Sequence, residues 1–361
     1  MSLPSPPRLT IGDPAPWFTA TMLGQTAGAD FDKAGGRHVL VLFFGSAANP
    51  GSAAALRLVE ANAGLLNDGR AVFLGVTIDQ QDLADRRLAA LQRPGMHIIV
   101  DADRRVSTLY DAAQPGEQGV TFNPYWLLLD PMLRVAGVFP LRFGEEAIAA
   151  LRQRLGTQPV EWNAPALVLP NILEPDFAAE LIELHDRHGS RASGIMQRIG
   201  DKTVEVHHHM AKRRRDHFIQ DEAVQARLRD AVMLRLVPMI ERCFQYRPTE
   251  IERYIVSCYD SAEGAHFAPH RDNTTPATAH RRFAVTINLN DDYDGGDLRF
   301  PEFGTRSYRA PLGGAVVFSC SLLHEVTRMT AGRRYATLPF LYGGAPGESP
   351  SGQTPSPAVP A

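Results

Sequence analysis

The chain has 361 residues, of which 44% are hydrophobic and 21% are charged, and its formal net charge is −3 at pH 7. This length supplies enough apolar material for two hydrophobic cores, and the near-neutral balance gives no general attraction to nucleic acid or to membranes. The three cysteines form no Cys-x-x-Cys pair, which argues against a disulfide framework and against a cysteine zinc site. With no leader-like start and no apolar run of membrane-spanning length, a cytoplasmic protein is expected.

The first half of the chain alternates between predicted strands and predicted helices. Strands are predicted at 38–44, 71–77, 96–101 and 123–130, and helices at 53–65, 80–91 and 147–155. This alternation is typical of an α/β layer with a central sheet.

Residues 8–155 resemble the thioredoxin-like fold, and in particular the peroxiredoxins. The loop Phe44–Ser52 follows the first long strand as their active loop does, and Asn123–Asp130 resembles the strand after their cis-proline, with Pro124 in that place. Where a peroxiredoxin has its reactive cysteine, this chain has Ser52, whose hydroxyl is scarcely ionised at neutral pH and cannot replace a thiolate. The resemblance therefore implies a redoxin domain without peroxidase chemistry, and a scaffold, substrate-presenting or homodimerising role is the hypothesis for it.

Breaks in the pattern at 156–159 and 163–165 indicate a boundary, after which a second domain is predicted at 164–342. The chain beyond it is rich in Pro, Gly and Ser, which predicts a disordered tail at 343–361.

The second domain is predicted to open with a strand at 166–169 and two helices. Pro175 suits the first position of one helix, and Asp221–Phe244 has helical periodicity with an expected kink at Pro238.

Two charged runs follow the first of these helices. Successive side chains on a strand alternate in direction, so His207–His209 cannot all face one metal ion, and a solvated turn or strand is expected. Lys212–Arg215 is interpreted either as a solvated face or as an internal ion-pair group, and no nucleic-acid partner is predicted from it.

Three residues of the second domain form a candidate metal-binding set. His270, Asp272 and His324 offer two imidazoles and one carboxylate, which can hold non-haem Fe(II) and leave open positions. On an extended strand, residues i and i+2 share a face, so His270 and Asp272 can aim at one point. His324 lies just past a predicted buried strand at 315–320.

The last predicted strand, 334–340, alternates and would place Arg334, Ala336, Leu338 and Phe340 on one apolar face. An unpaired guanidinium there would be costly, so a bound anion is its natural partner.

The stretch from about Leu167 to Tyr342 resembles the Fe(II)- and 2-oxoglutarate-dependent dioxygenases of the prolyl 4-hydroxylase type. The resemblance rests on the His-x-Asp…His…Arg pattern and on the runs Phe283–Asn290 and Gly295–Phe300. It implies a double-stranded β-helix (jelly-roll) core at 251–342 with supporting helices.

The resemblance also implies roles for single residues. His270, Asp272 and His324 would bind Fe(II), and Arg334 with Tyr259 would hold 2-oxoglutarate. The strand Thr286–Asn288 lacks the tyrosine that some members use against the oxoacid, so no ligand role is assigned there.

The implied function is an oxidoreductase that uses O2 and 2-oxoglutarate to hydroxylate a prolyl or peptidyl residue or a small molecule, releasing succinate and CO2. L-ascorbate stays open as a further cofactor, and the substrate is unspecified because specificity lies in loops such as Asn273–Arg282. Two alternatives stay open: a metal- and 2-oxoglutarate-binding sensor that hydroxylates nothing, and an interaction protein that works through its redoxin half. A zinc hydrolase is disfavoured, because the chain has no general-base glutamate motif and Arg334 would have no purpose.

Overall fold

The computed structural model describes residues 9–25, 28–116, 119–158, 160–199 and 202–343. These residues form two compact units. Unit 1 runs up to Trp162 and includes Pro301–Thr305, and unit 2 comprises Asn163–Phe300 and the residues from Arg306 onward. The predicted tail at 343–361 lies, apart from Gly343, outside the described residues. None of the helices in the described ranges combines the length and the apolar character that crossing a membrane requires.

Unit 1 is built on a mixed sheet of five strands within the described ranges. In sheet order they are Met96–Val100, Ala71–Thr77, His38–Gly45, Tyr125–Leu129 and Val135–Pro140. The first three are parallel to one another. Tyr125–Leu129 pairs antiparallel with both of its neighbours, His38–Gly45 and Val135–Pro140. The accompanying α-helices are Pro50–Ala61, Arg86–Leu91, Arg105–Leu109 and Gly144–Gly156. Short elements complete the unit: two hairpins (Thr19–Thr21 with Gly28–Asp30, and Ala113–Gly116 with Gly119–Phe122) and the 3-10 turns Phe31–Ala34, Ala63–Leu65, Gln80–Ala84 and Leu141–Phe143.

The central strand His38–Gly45 explains why unit 1 is a layered fold. Its even positions, such as Leu40 and Leu42, lie in one buried cluster, and its odd positions, such as Val39 and Val41, lie in another. Successive side chains of a strand point to opposite faces, so an apolar residue at nearly every position requires cover on both faces. The predicted α/β layer with a central sheet is therefore confirmed.

Some predicted details of unit 1 are wrong. The segment 80–91 is a 3-10 turn, Gln80–Ala84, followed by the short helix Arg86–Leu91, and Asp79 caps that turn by accepting from the backbone N–H of Gln81. No cis peptide bond occurs in the described residues, so the cis assignment of Pro124 is also wrong. An X–Pro bond prefers trans by about 0.5–1 kcal/mol.

Unit 2 contains two main antiparallel sheets within the described ranges. The larger has, in order, Leu167–Leu169, Ala315–Ser319, Phe283–Asn288, Arg333–Thr337, Ile255–Asp260, Arg215–Phe218 and Arg191–Ala192, with Phe340–Tyr342 and Glu250–Glu252 attached. The smaller has Lys212–Arg213, His266–His270, His324–Val326, Leu298–Arg299 and Ser307–Tyr308. A hairpin pairs Ile195–Ile199 with Lys202–Val206, and a separate antiparallel pair joins Asp294–Gly295 to Met329–Ala331.

The helices of unit 2 cover one face of the larger sheet. They are Pro175–His188, Glu222–Ala231 and Val237–Phe244, with a π-helical turn at Val232–Leu236 joining the last two. Apolar side chains from them share one buried cluster with side chains of the larger sheet, for example Phe177 and Leu228 with Val285 and Ile287. The predicted helical run Asp221–Phe244 is thus confirmed, and its irregularity is the π turn next to Pro238, which has no N–H to give to a regular helix.

The other face of the larger sheet meets the smaller sheet. Tyr259 of the larger sheet lies in a buried cluster with Phe267 and Val326 of the smaller sheet. Along Ile255–Asp260, Val256 and Cys258 belong to the core on the helix side, so the alternating Tyr259 faces the space between the sheets. That space holds the candidate site.

The predicted final strand is interrupted. Arg333–Thr337 ends before Leu338-Pro339, and Phe340–Tyr342 forms a new strand, because proline cannot donate to a ladder. The freed carbonyl of Leu338 accepts from the guanidinium of Arg253 at 3.2 Å. Leu338 therefore does not continue the face that carries Arg334.

Candidate metal centre

The structure brings His270, Asp272 and His324 together. One nitrogen or oxygen atom from each lies within 4.8 Å of the others. Nε2 of His270 is 3.5 Å from Oδ1 of Asp272, and Nε2 of His324 is 3.3 Å from Oδ2 of the same carboxylate. Both nearest nitrogens are therefore Nε2 atoms, and they approach different oxygens of one carboxylate.

Strand pairing explains this convergence. His270 ends one strand of the smaller sheet and lies directly opposite His324, which begins the neighbouring strand. Asp272 follows two residues later, and its backbone N–H donates to the carbonyl of Cys320 at 2.9 Å. Strand pairing thus fixes two ligands that are far apart in sequence, and a backbone hydrogen bond ties Asp272 to the turn that precedes His324.

Backbone carbonyls fix the orientation of both imidazoles. Nδ1 of His270 donates to the carbonyl of Ala268 at 2.9 Å, and Nδ1 of His324 donates to the carbonyl of Leu322 at 3.0 Å. With the ring proton on Nδ1, Nε2 carries the lone pair that a metal ion requires.

Aromatic side chains hold the two rings from the side. Phe267 stacks on His270 with 3.4 Å between ring centroids, and Phe318 meets His324 edge-on at 4.6 Å. Such packing restricts the rings without adding a competing polar group.

The charge states suit a divalent cation. Burial, together with the neighbouring His324, lowers the pKa of His270 to about 4, so that this imidazole is neutral at physiological pH. Burial alone would raise the pKa of Asp272, but the facing imidazoles of His324 and His270 outweigh it and hold the pKa well below its usual value. A neutral imidazole and an ionised carboxylate are the forms in which these groups bind metals.

Arg334 and Tyr259 lie beside this group as directly paired residues on neighbouring strands. Both are buried, and the guanidinium carbon of Arg334 lies 5.5 Å from the ring centroid of Tyr259. Among the described residues, no carboxylate forms an ion pair with Arg334. Its charge is therefore available to an anion bound between the sheets.

Two residues that the sequence analysis did not assign hold Arg334 in place. Nη2 of Arg334 donates to Oγ1 of Thr286 at 2.7 Å and to Oδ1 of Asn288 at 3.2 Å. Thr286 and Asn288 are two positions apart on one strand, so they share the face that looks into the site. This i, i+2 pair of polar residues inside an apolar strand was the signal that could have identified them.

Arg281, in the predicted specificity loop, also touches the centre. Its guanidinium donates to the carbonyl of Asp272 at 3.2 Å, and its Nε donates to Oε2 of Glu252 at 2.8 Å. The loop that follows the metal-binding set is therefore anchored to the larger sheet through an ion pair.

The two charged runs are also placed. His207–His209 are exposed and follow a hairpin strand, as predicted for a solvated turn. Within Lys212–Arg215, Arg214 is buried and pairs with Asp216 at 2.7 Å, so the internal ion-pair reading is the correct one.

Comparison with known proteins separates the two halves of the chain. Residues 254–342, which contain all the side chains of the candidate centre named so far except Glu252, match the 2OG-Fe(II) oxygenase superfamily. This segment carries a 2OG-Fe(II) oxygenase domain.

The oxygenase domain has curated relatives among bacterial hydroxylases. A PKHD-type hydroxylase of Synechococcus sp. (strain JA-2-3B'a(2-13)) is 29% identical over 102 residues, which are 26% of this chain and 45% of the relative. A PKHD-type hydroxylase of Paracoccus denitrificans is 35% identical over 99 residues, 25% of this chain and 43% of the relative. The chain thus spans less than half the length of these relatives.

Solved structures of two kinds match parts of this chain. A prolyl-4-hydroxylase of Pseudomonas putida matches 51% of this chain and 95% of its own, with 18% identity and a TM-score of 0.39. A peroxidoxin of Mycobacterium tuberculosis matches 40% of this chain and 98% of its own, with 17% identity and a TM-score of 0.35.

Proposed function

We propose that residues 164–342 form an Fe(II)- and 2-oxoglutarate-dependent dioxygenase. His270, Asp272 and His324 would hold the iron, and Arg334 with Tyr259 would anchor the oxoacid. One observation carries the proposal: two Nε2 atoms and a carboxylate converge beside a buried guanidinium that pairs with no carboxylate among the described residues.

The donor set fits a ferrous ion. Two neutral imidazoles and one carboxylate are the combination that non-haem Fe(II) oxygenases use, and it leaves positions open for a chelating oxoacid and for O2. When bound, iron and 2-oxoglutarate supply the oxidising equivalents for hydroxylation, with succinate and CO2 as products.

The protein's side chains would bind and orient the oxoacid. Arg334 would receive the far carboxylate of 2-oxoglutarate as a two-pronged donor, since Thr286 and Asn288 fix its guanidinium from behind. Tyr259 and Phe267 line the centre and are buried, which helps to keep bulk water from the reacting atoms.

We further propose a double-stranded β-helix for the core at 251–342 and a thioredoxin-like fold for residues 8–155. Support for the first comes from two antiparallel sheets whose facing side chains share a buried cluster. Support for the second comes from the mixed sheet with its antiparallel final pair. Because Ser52 occupies the reactive position, residues 8–155 would serve as a scaffold or as a homodimer contact in a cytoplasmic protein.

A prolyl or peptidyl residue, or a small molecule, would be hydroxylated, and a need for L-ascorbate is a point for assay.

The experiment is an anaerobic titration followed by oxygen. Fe(II) and 2-oxoglutarate added to the full chain should produce a metal-to-ligand absorption band, and oxygen should then release succinate. Absence of the band, or a band that is unchanged in Arg334→Ala, would contradict the proposal. A band without succinate, with every candidate substrate, would favour the sensor alternative.

A further inference from the structure

A second group of buried cations lies next to the metal centre. On the segment from Lys212 to Asp216, the alternate residues Lys212, Arg214 and Asp216 are buried, whereas Arg215 is exposed. Lys212 lies on a strand of the smaller sheet and Asp216 on a strand of the larger sheet, so the buried set lies where the chain passes from one sheet to the other. Arg253 is a further cation of this region: its guanidinium carbon lies 4.6 Å from the centroid of the Phe340 ring, which Arg281 also contacts at 3.9 Å. Burial, with Arg214 as the next cause, lowers the pKa of Arg253 to about 10.

The group adjoins the proposed iron and oxoacid sites. Nζ of Lys212 lies 4.7 Å from the ring centroid of Phe267, whose other partner is His270. Nη1 of Arg214 lies 3.4 Å from the hydroxyl of Tyr259. One aromatic ring thus separates each of these cations from the candidate iron ligands or from the oxoacid anchor.

These cations outnumber their acidic partners. Asp216 is the carboxylate of the group, and each of its oxygens already accepts one hydrogen bond, from Arg214 at 2.7 Å and from the hydroxyl of Ser257 at 2.7 Å. Lys212 donates only to neutral oxygens, those of Ser193 and Gly194.

Arg253 also lacks an acidic partner, since its guanidinium donates to the Leu338 carbonyl. In the part of the chain that the structure describes, no carboxylate pairs with Lys212 or with Arg253.

Two buried N–H donors of the group also lack a hydrogen-bond acceptor. Nε of Arg214 and Nε of Arg253 are both buried, and neither has a hydrogen-bond partner. A buried donor without a partner costs about 1–3 kcal/mol, more when it is charged. Arg253 in addition adopts a φ of +72°, in the left-handed region that residues with a Cβ disfavour, and such residues cluster at ligand-binding sites.

The excess charge is not needed for the cosubstrate. Two charges on Fe(II) would be offset by Asp272 and one carboxylate of 2-oxoglutarate, and Arg334 already offers a guanidinium to the other carboxylate. Arg253 remains as surplus positive charge beside the reaction centre. Burial lowers the pKa of Lys212 well below its usual value, as expected for a buried amine that has no anion bound to it. A bound anion would remove that surplus and satisfy the free Nε donors.

We propose that the molecule hydroxylated by this dioxygenase carries a carboxylate, which Arg253 and Arg214 bind with the support of Lys212. This inference rests on the proposed function and adds the chemical class of its substrate. Arg253 and Lys212 would be specificity-determining residues, since each lies outside the candidate iron ligands and the oxoacid anchor.

The test uses matched pairs of probes, each an acid and its primary amide: N-acetyl-L-proline, N-acetyl-L-leucine and benzoate with their amides. The full-length protein is loaded with Fe(II) and 2-oxoglutarate without oxygen, and each probe is titrated by calorimetry. At least one acid should bind about tenfold or more tightly than its amide, as expected for hydrogen bonds to a charged donor. Arg253→Gln and Lys212→Met should each reduce that preference to about threefold or less, while 2-oxoglutarate affinity stays unchanged.

The matched control is Arg215→Gln, which removes an exposed cation from the same segment and should keep the full preference. Equal binding of every acid and its amide would overturn the inference, and so would a preference that survives both Arg253→Gln and Lys212→Met. A loss of 2-oxoglutarate affinity with no change in the probe pairs would also overturn it, because the cations would then serve the cosubstrate. Failure of the protein to load Fe(II) or 2-oxoglutarate at all would instead count against the proposed function.

Discussion

Local hydrogen bonds orient the two imidazoles of the candidate centre. Each histidine donates its Nδ1 proton to the carbonyl two residues earlier, Ala268 for His270 and Leu322 for His324. Because donor and acceptor are so close in sequence, the ring orientation depends little on the rest of the fold. The two imidazoles supply oriented nitrogen ligands, and Asp272 supplies the negative charge that a divalent cation requires.

Removal of the Asp272 side chain should abolish iron retention. In Asp272→Ala the two imidazoles remain without an anionic ligand, and we expect Fe(II) affinity to fall by more than the roughly 10–100-fold that outer-shell changes cost. Equilibrium dialysis under nitrogen measures the affinity. Asp291→Asn, at an exposed aspartate, is the control and should bind as the parent does.

The hydroxyl of Thr286 should matter for the oxoacid and not for the metal. In Thr286→Val the guanidinium of Arg334 loses its 2.7 Å acceptor, so its position is less well defined. We expect the half-saturating 2-oxoglutarate concentration to rise roughly tenfold, the worth of a hydrogen bond to a charged group. Thr330→Val, at an exposed strand position, should leave that concentration unchanged, and an equal loss of iron affinity in Thr286→Val would contradict the assignment.

At the scale of single elements, one strand serves both the core and the site. In Phe283–Asn288 the residues Phe283, Val285 and Ile287 pack in the helix-side core, while Thr286 and Asn288 bind Arg334. A slip of one residue in register would exchange the two sets, so burial of the apolar set fixes the position of the polar one.

In the helix Pro50–Ala61, the serine has a structural role. Ser52 is fully buried in its first turn, and its hydroxyl donates to the carbonyl of Phe44 at 2.7 Å. A thiolate in this place would be shielded from peroxide and would lose solvation, which raises a thiol pKa.

We therefore expect Ser52→Cys to show no peroxidase activity. A peroxide-consumption assay with an added thiol reductant measures this. A reference variant such as Ala48→Cys, at an exposed position of the same loop, reports the background reaction of an accessible thiol. Peroxide turnover in Ser52→Cys well above that background would show that the position is accessible after all.

At the scale of the whole molecule, each unit has its own hydrophobic core. Leu42 and Trp126 lie in a buried cluster of unit 1, and Leu228 and Val285 lie in the main cluster of unit 2. All three tryptophans of the chain precede Asn163, so tryptophan fluorescence reports on unit 1.

A cavity in unit 1 should leave the metal centre intact. Leu42→Ala removes a fully buried side chain and should lower the free energy of unfolding of unit 1 by about 2–5 kcal/mol. Urea denaturation followed by tryptophan fluorescence measures that loss, and Leu83→Ala at an exposed leucine should show little change. Fe(II) affinity in native buffer should equal that of the parent, because every candidate ligand belongs to unit 2.

The sequence by itself determined the residue types of the candidate site and the class of each half. Strand and helix alternation is a local property, and so is the spacing of His270 and Asp272. Both could therefore be predicted from the sequence. The interrupted final strand and the split segment 80–91 were missed, since a proline ends the strand and the extended backbone of Asp85 divides the helical segment.

Only the tertiary structure decided which distant residues meet. The pairing of His324 with His270, the support of Arg334 by Thr286 and Asn288, and the buried cations Arg214 and Arg253 all depend on strand register and on burial. The free energy of a buried charge is set by the groups around it. Those groups come from segments that are distant in sequence, so the sequence does not show that they are neighbours.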